Sequence, residues 1–290
     1  MDYQWYPGHM TKAIRMMREQ IAPADLVIEL ADARIPLSSR NPDIDSLSEG
    51  KKRLLVLNKA DLADEAQNRR WEQHFREQGL ETVVCNAAAP GAEKKIREAM
   101  KRLTKEKAER DRAKGMNAQI KAMVCGVPNA GKSTLINRLA GSAVTKTENR
   151  PGVTRGKQWI SLSDGVKLLD TPGVLWPKFE DKTTGEHLAL IGSMNDVNLD
   201  METLALRAVE VLEELYPGAL SSFYGFTKEE AEERMEAEQT DLFAVGVLSA
   251  IAAKRGCIRR GALPDYEKAA VMLLTDFRGG RIGRFTIERA

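Results

Sequence analysis

Residues Gly126-Val-Pro-Asn-Ala-Gly131-Lys132-Ser133 fit the pattern G-x-x-x-x-G-K-[ST], behind an apolar run and ahead of a helical stretch, STLINRLAG. Glycines there let successive backbone N–H groups turn inward around phosphate oxygens, and the start of the helix adds a favourable field. Asn129, Ala130, Gly131 and Thr134 would line that cradle, Lys132 would reach the outer phosphates, and the Ser133 hydroxyl would ligate Mg2+. Asp170-Thr-Pro-Gly173 ends a strand. Its carboxylate is placed to hold the Mg2+ shell through water, and the Gly173 N–H can meet the terminal phosphate. Thr154, in RPGVTRG, is where a switch threonine would close over the same ion, although a single loop Thr is ordinarily only a loop residue.

A second constellation comes earlier in the chain. Asn58-Lys59-Ala60-Asp61 directly follows the apolar run RLLVLNK. An aspartate there can accept from the guanine N1–H and exocyclic amine together, and adenine offers no such donor pair. The competing reading is an Asp that caps the next helix. Asn86-Ala87, at the end of a further strand, would supply a backbone N–H to the guanine O6. All the parts of a guanine-nucleotide site are present, but in the order base, base, phosphate, switch, switch. A parallel sheet can be cut and rejoined where its original termini are close. The chain therefore reads as circularly permuted, with EKKIREAMKRLTKEKAERDRAKG (93–115) as the new joint.

The elements that must hold these residues follow from periodicity. LVIELAD (26–32), RLLVLNK (53–59), ETVVCNA (81–87) and KAMVCGV (121–127) are apolar almost throughout, as buried parallel strands are. QWISLS (158–163) and VKLLD (166–170) are joined at Asp164-Gly165, the signal for a type I′ hairpin. Helical stretches fill the gaps at 10–21, 64–79, 91–113 and 132–140. The alternation predicts an α/β fold, a doubly wound, mostly parallel six-stranded sheet with ligands at the carboxyl ends of the strands. Beyond residue 177 the pattern turns helical. Leu204, Ala208, Val211, Leu212 and Leu215 share one face, and LFAVGVLSAIAA reads as a buried helix too short to span a bilayer. The expected division is 1–177 for the nucleotide domain, 178–199 for a linker and switch region, and 200–290 for a smaller all-α domain.

Composition narrows the class. The 290 residues are 42% hydrophobic and 30% charged, with a net charge of +2, so global charge predicts no nucleic-acid partner. Three scattered cysteines without a Cys-x-x-Cys pair argue against disulfides or zinc, and the N-terminus lacks a signal-peptide pattern. A cytoplasmic, non-membrane protein is expected. Local basic clusters stand out: Lys254, Arg255, Arg259 and Arg260, then Arg278, Arg281 and Arg284. They can neutralise RNA phosphates, though a charge run is commonly a solvated face.

With those motifs in place, the sequence resembles the circularly permuted GTPases of the ribosome-biogenesis GTPase A type. WYPGHMTKA at the start, ADARIPLSSRNP at 31–42 and the ending GRIGRFTIE carry the resemblance over essentially the whole chain. It implies GTP hydrolysis to GDP coupled to late assembly of the large ribosomal subunit, with GTP, GDP and a precursor particle as partners and a monomeric state. Val174 stands where classical switch GTPases have a water-positioning glutamine, and the family's candidate replacement is the Pro-Gly-His-Met histidine, here His9. The competing reading for His9 is an exposed residue capping a helix. Asn129 resembles the asparagine of potassium-activated GTPases, which would add K+ as a cofactor, and a simple turn residue is the alternative. An ATP-dependent P-loop enzyme and an RNA-binding scaffold that uses GTP structurally are the other functional readings. Asp61 opposes the first.

Overall fold

The computed structural model describes Arg15, Arg18, Glu19 and residues 21–145, 158–171, 181–261 and 263–290. It divides into two compact units, one running up to Gly185 and including Glu288–Ala290, the other Glu186–Ile287.

The first unit is built on β1 (Leu26–Asp32), β2 (Lys52–Asn58), β3 (Glu81–Val84), β4 (Ile120–Gly126), β5 (Gln158–Ser161) and β6 (Val166–Asp170). They form one six-stranded sheet in the order β3-β2-β1-β4-β6-β5, with only β5 antiparallel. Counted from β4 as the first strand, that order becomes 6-5-4-1-3-2, so the permuted arrangement expected from the motif order is what the sheet adopts. β1 lies at the centre with every residue buried, as a strand covered on both faces must be. Beside it, Leu55, Leu57, Trp71 and Phe75 cluster with Ala31, and Val27 packs with Ile44, Met123 and Cys125.

Helices α1 (Pro42–Leu47), α2 (Glu65–Glu77), α3 (Ala92–Ala113) and α4 (Lys132–Ala140) complete the unit. Asp64 caps α2 by accepting from the Ala66 and Gln67 N–H groups, and Trp71 and Phe75 form its buried face. α3 is the joint of the permutation. It buries Ile96, Ala99, Met100 and Thr104, and near its C-terminal end Asp111, which pairs with Lys107 at 2.8 Å. Of the helix expected over 10–21, Arg15, Arg18, Glu19 and Ile21 are described, all helical.

Two expectations need correcting. Ser161 pairs with Lys167 and the Leu162 N–H donates to Val166 O at 2.7 Å, so three residues, not two, turn the β5–β6 hairpin. Gly165 alone in that loop has a positive φ, of 81°, whereas a type I′ turn demands it at both central positions. The segment 178–199 is no plain linker either. It contains α5 (Lys182–Leu190), and Leu188, Ala189, Leu190, Ile191 and Met194 are buried. Those apolar side chains draw the boundary of the helical unit forward to Glu186 instead of 200.

That unit contains α6 (Met201–Leu215), α7 (Ala219–Tyr224), α8 (Lys228–Ala237), α9 (Phe243–Lys254) and α10 (Tyr266–Arg278). α9 is apolar nearly all round and correspondingly buried. Glu288, by contrast, belongs to the first unit. Its carboxylate accepts from the Leu37 and Ser38 N–H groups at 2.6 and 3.0 Å, and its carbonyl accepts from Trp71 Nε1 at 3.4 Å. No helix among the described residues is long and apolar enough to cross a membrane.

Candidate nucleotide-binding site

The register pairs Asp32 with Asn58, Leu30 with Gly126 and Val124 with Asp170, so β1, β2, β4 and β6 end at one edge of the sheet. This carboxyl edge is where ligands bind in open α/β sheets.

The phosphate loop leaves β4 at Gly126 and enters α4 at Lys132. Two of its residues must be glycine. A Cβ on Gly126 (φ 148°) would stand 2.3 Å from the Leu30 carbonyl oxygen, and one on Gly131 (φ 97°) 2.3 Å from Asn58 Nδ2. Asn129 turns the loop through φ 60°, a conformation Asn tolerates better than most residues. Lys132 is buried, and its ammonium donates to the carbonyls of Gly126 and Val127 at 3.1 and 2.8 Å. Burial lowers its pKa to about 8, against the opposing attraction of Asp170. Asp170 is the mirror case. Burial raises its carboxyl against the pull of Lys132, and Oδ1 is buried without a hydrogen-bond partner among the described residues. The neighbouring Thr171 hydroxyl, bonded to Val124 O at 2.7 Å, fixes the strand end. Ser133 and Thr134 lie in the first turn of α4.

Asn58 joins this loop to the base-reading side. Its amide donates to Ala130 O at 2.7 Å, and its carbonyl accepts from the Ala87 N–H at 2.8 Å. One buried side chain thus clamps phosphate loop, strand β2 and the 86–87 loop together. Of the Asn86-Ala87 pair expected to offer a backbone N–H to the guanine O6, the Ala87 N–H is engaged by Asn58, and the Asn86 side chain holds the Ala88 N–H at 2.8 Å. Lys59 takes φ 58° and places its ammonium 3.0 Å from Asp32 Oδ2, while Asp61 is exposed. His9, Thr154, Gly173 and Val174 lie outside the described residues. Sequence reading passed over the clamping role of Asn58 and the contribution of Asp32. The available signal was an Asp-x-Arg at the end of a buried strand whose one other charged residue is Glu29.

The basic residues of the helical unit are largely matched by local partners. Lys254 pairs with Glu230 at 2.8 Å, Arg259 with Asp265 at 3.2 Å and Arg281 with Asp276 at 2.9 Å. Arg255 lies over the Phe223 and Tyr224 rings. Arg278 donates to the Ala189 and Leu190 carbonyls and to Asp196, closing the end of α5. Arg260 and Arg284 are exposed.

Residues 121–216 match the family described as 50S ribosome-binding GTPase. Ribosome biogenesis GTPase A of Bacillus cereus is 43% identical over 289 residues, 99% of this chain and 94% of that protein. Its counterpart in Thermotoga maritima is 31% identical over 98% of this chain and 94% of that one. The GDP-bound structure of YlqF superposes with a TM-score of 0.67 at 26% identity, covering 95% of this chain and 99% of the other. With a phosphate-loop motif and the Asn58–Asp61 turn at the carboxyl edge of a permuted sheet, and relatives matched over nearly the whole of both chains, the protein belongs to the ribosome biogenesis GTPase A family of GTP-hydrolysing enzymes.

Proposed function

We propose that this protein hydrolyses GTP to GDP and phosphate during late assembly of the large ribosomal subunit, binding the precursor particle in its GTP state and leaving on hydrolysis. The observation that carries the reading is the Asn58 clamp. It ties the phosphate loop to the Asn58–Asp61 turn, so one framework holds both ends of a guanine nucleotide.

The protein's own groups divide the work. The phosphate loop and Lys132 hold and neutralise the β- and γ-phosphates, and Asp61 reads the guanine edge. GTPases of this kind generally use Mg2+, and the residues fit it: Asp170 Oδ1 is buried close to the loop lysine without a partner among the described residues, and Ser133 lies in the first turn of the adjacent helix. Ser133 and Thr154 would ligate the ion and Asp170 would hold its water shell. When bound, it would supply charge neutralisation at the phosphates. Val174 cannot orient water, so His9 is assigned that role, completed on the ribosomal particle. The RNA surface is assigned to Lys254, Arg255, Arg259, Arg260, Arg281 and Arg284. Their local acidic partners would have to be exchanged for phosphates, with a steep salt dependence.

The experiment measures binding to large-subunit precursors with GDP and with a GTP analogue, and turnover with and without those particles, in K+ and in Na+. Tighter binding in the GTP state and particle-stimulated turnover are expected. Equal binding in both states would end the switch. Faster turnover in K+ would assign Asn129 to that cation, and equal turnover would leave it a turn residue.

A further inference from the structure

Asp32 is an ionised side chain at the end of a strand that is otherwise core. It is 0% exposed, Arg34 is 2% exposed, and the Lys59 side chain is 24% exposed. Arg34 grips the carboxylate twice, Nε to Oδ1 at 2.9 Å and Nη2 to Oδ2 at 2.8 Å, and its backbone N–H adds a third bond to Oδ1 at 3.1 Å. The Lys59 ammonium comes to 3.0 Å from Oδ2. Burial alone would raise the Asp32 carboxyl, but the two cations override it and hold the group below the ordinary carboxylate range.

A buried charge cluster is a poor source of stability, because apolar residues of the same volume commonly serve as well or better. What it does supply is a fixed point for Lys59. That residue occupies the left-handed region at φ 58°, a conformation costing about 1 kcal/mol or more for a side chain with a Cβ, so contacts must hold it there. The Leu62 N–H donates to the Lys59 carbonyl at 2.9 Å and the Ala60 N–H to the Cys85 carbonyl at 3.2 Å, the Ala33 N–H donates to the Asn58 carbonyl at 2.8 Å, and Asp32 holds the ammonium. The last two come from the stretch 31–34, which the site as described above leaves without a task.

We propose that Asp32, braced by Arg34, is a positioning residue for base recognition: by anchoring the Lys59 ammonium it keeps the Asn58–Asp61 turn formed before nucleotide arrives. The bidentate Arg34 grip lets the carboxylate accept a second cation without moving, which a lone Asp on a flexible loop could not do. Preorganisation of this kind acts on affinity by removing the ordering cost of the turn.

The proposal rests on the reading of Asn58–Asp61 as the base-reading element, and the test separates the two. GDP affinity is measured by calorimetry for the full chain, for Asp32→Asn, Lys59→Met and the double variant, with thermal unfolding in parallel. Each single change should weaken GDP about tenfold, and the double should be no worse than the weaker single, because both remove one contact. Asp32→Glu should recover part of the loss. Independent, multiplying losses would overturn the positioning role, and so would unchanged affinity in either single variant. If Asp32→Asn does not fold, Asp32→Glu with and without Lys59→Met closes the same cycle, and independent, multiplying losses there overturn the positioning role. Asp61→Asn tests the underlying reading: failure to shift preference from GDP towards xanthosine diphosphate would remove the base-reading assignment whatever the cycle gives.

Discussion

Asn58→Asp is the sharpest perturbation of the clamp, because it changes one NH2 to an oxygen and leaves the volume alone. The Oδ1 contact to the Ala87 N–H survives, but the group 2.7 Å from the Ala130 carbonyl no longer donates. At neutral pH a hydrogen bond worth about 1 kcal/mol is lost and a buried carbonyl is left unsatisfied at about 1–3 kcal/mol, for a total near 2–4 kcal/mol. With roughly 2–4 °C per kcal/mol for a domain of this size, the nucleotide unit should melt about 5–15 °C lower. The deficit has a pH signature. The new carboxyl is buried against a carbonyl, so its folded pKa rises above the unfolded value of about 3.9. The native variant then binds a proton that the unfolded chain has released, and its relative stability falls as pH rises through the folded pKa. In acid the protonated carboxyl donates to Ala130 O and restores the clamp. The assay is differential scanning fluorimetry of wild type and variant at about pH 5.5 and pH 8, with GDP affinity alongside. Taking the difference between the two proteins cancels the titrations they share. A deficit equal at both pH values, or none at pH 8, would refute the reasoning.

Further outcomes follow from the same edge of the sheet. Nucleotide affinity should fall about tenfold between pH 7 and 9, because Lys132 titrates near 8 and must be charged to hold phosphate, and Lys132→Arg should lose that part of the dependence. A fall shared by the Arg variant belongs to the base, not to the loop. Gly131→Ala should abolish measurable GDP binding in titration calorimetry, since the methyl would stand 2.3 Å from Asn58 Nδ2 at a φ of 97°, and retained binding would mean the clamp yields. His9→Ala should keep nucleotide affinity and lower particle-stimulated turnover, the signature of a transition-state role, and equal turnover would return His9 to a surface position.

Much of this protein was readable before any coordinates. Short apolar runs that alternate with amphipathic ones dictate parallel strands and covering helices, and the spacing of Gly126, Gly131, Lys132 and Ser133 dictates a phosphate cradle, because both depend on nearest neighbours along the chain. The order of the motifs even gave the permutation, which the sheet order bears out. Other features depend on residues far apart in sequence, and only the tertiary structure decided them. The three-residue β5–β6 turn follows from the pairing register, and the early boundary of the helical unit follows from what α5 can bury. Asn58 reads as the first letter of a base motif, yet its side chain spends both hydrogen bonds on Ala130 and Ala87, 72 and 29 positions away. Asp32 reads as a stray charge at the end of a buried strand until Lys59, just past the end of β2, arrives beside it. Periodicity constrains which face a residue occupies. Which buried polar group satisfies which is settled only when strands 20 to 100 residues apart are laid side by side, since a partner can then come from anywhere in the chain.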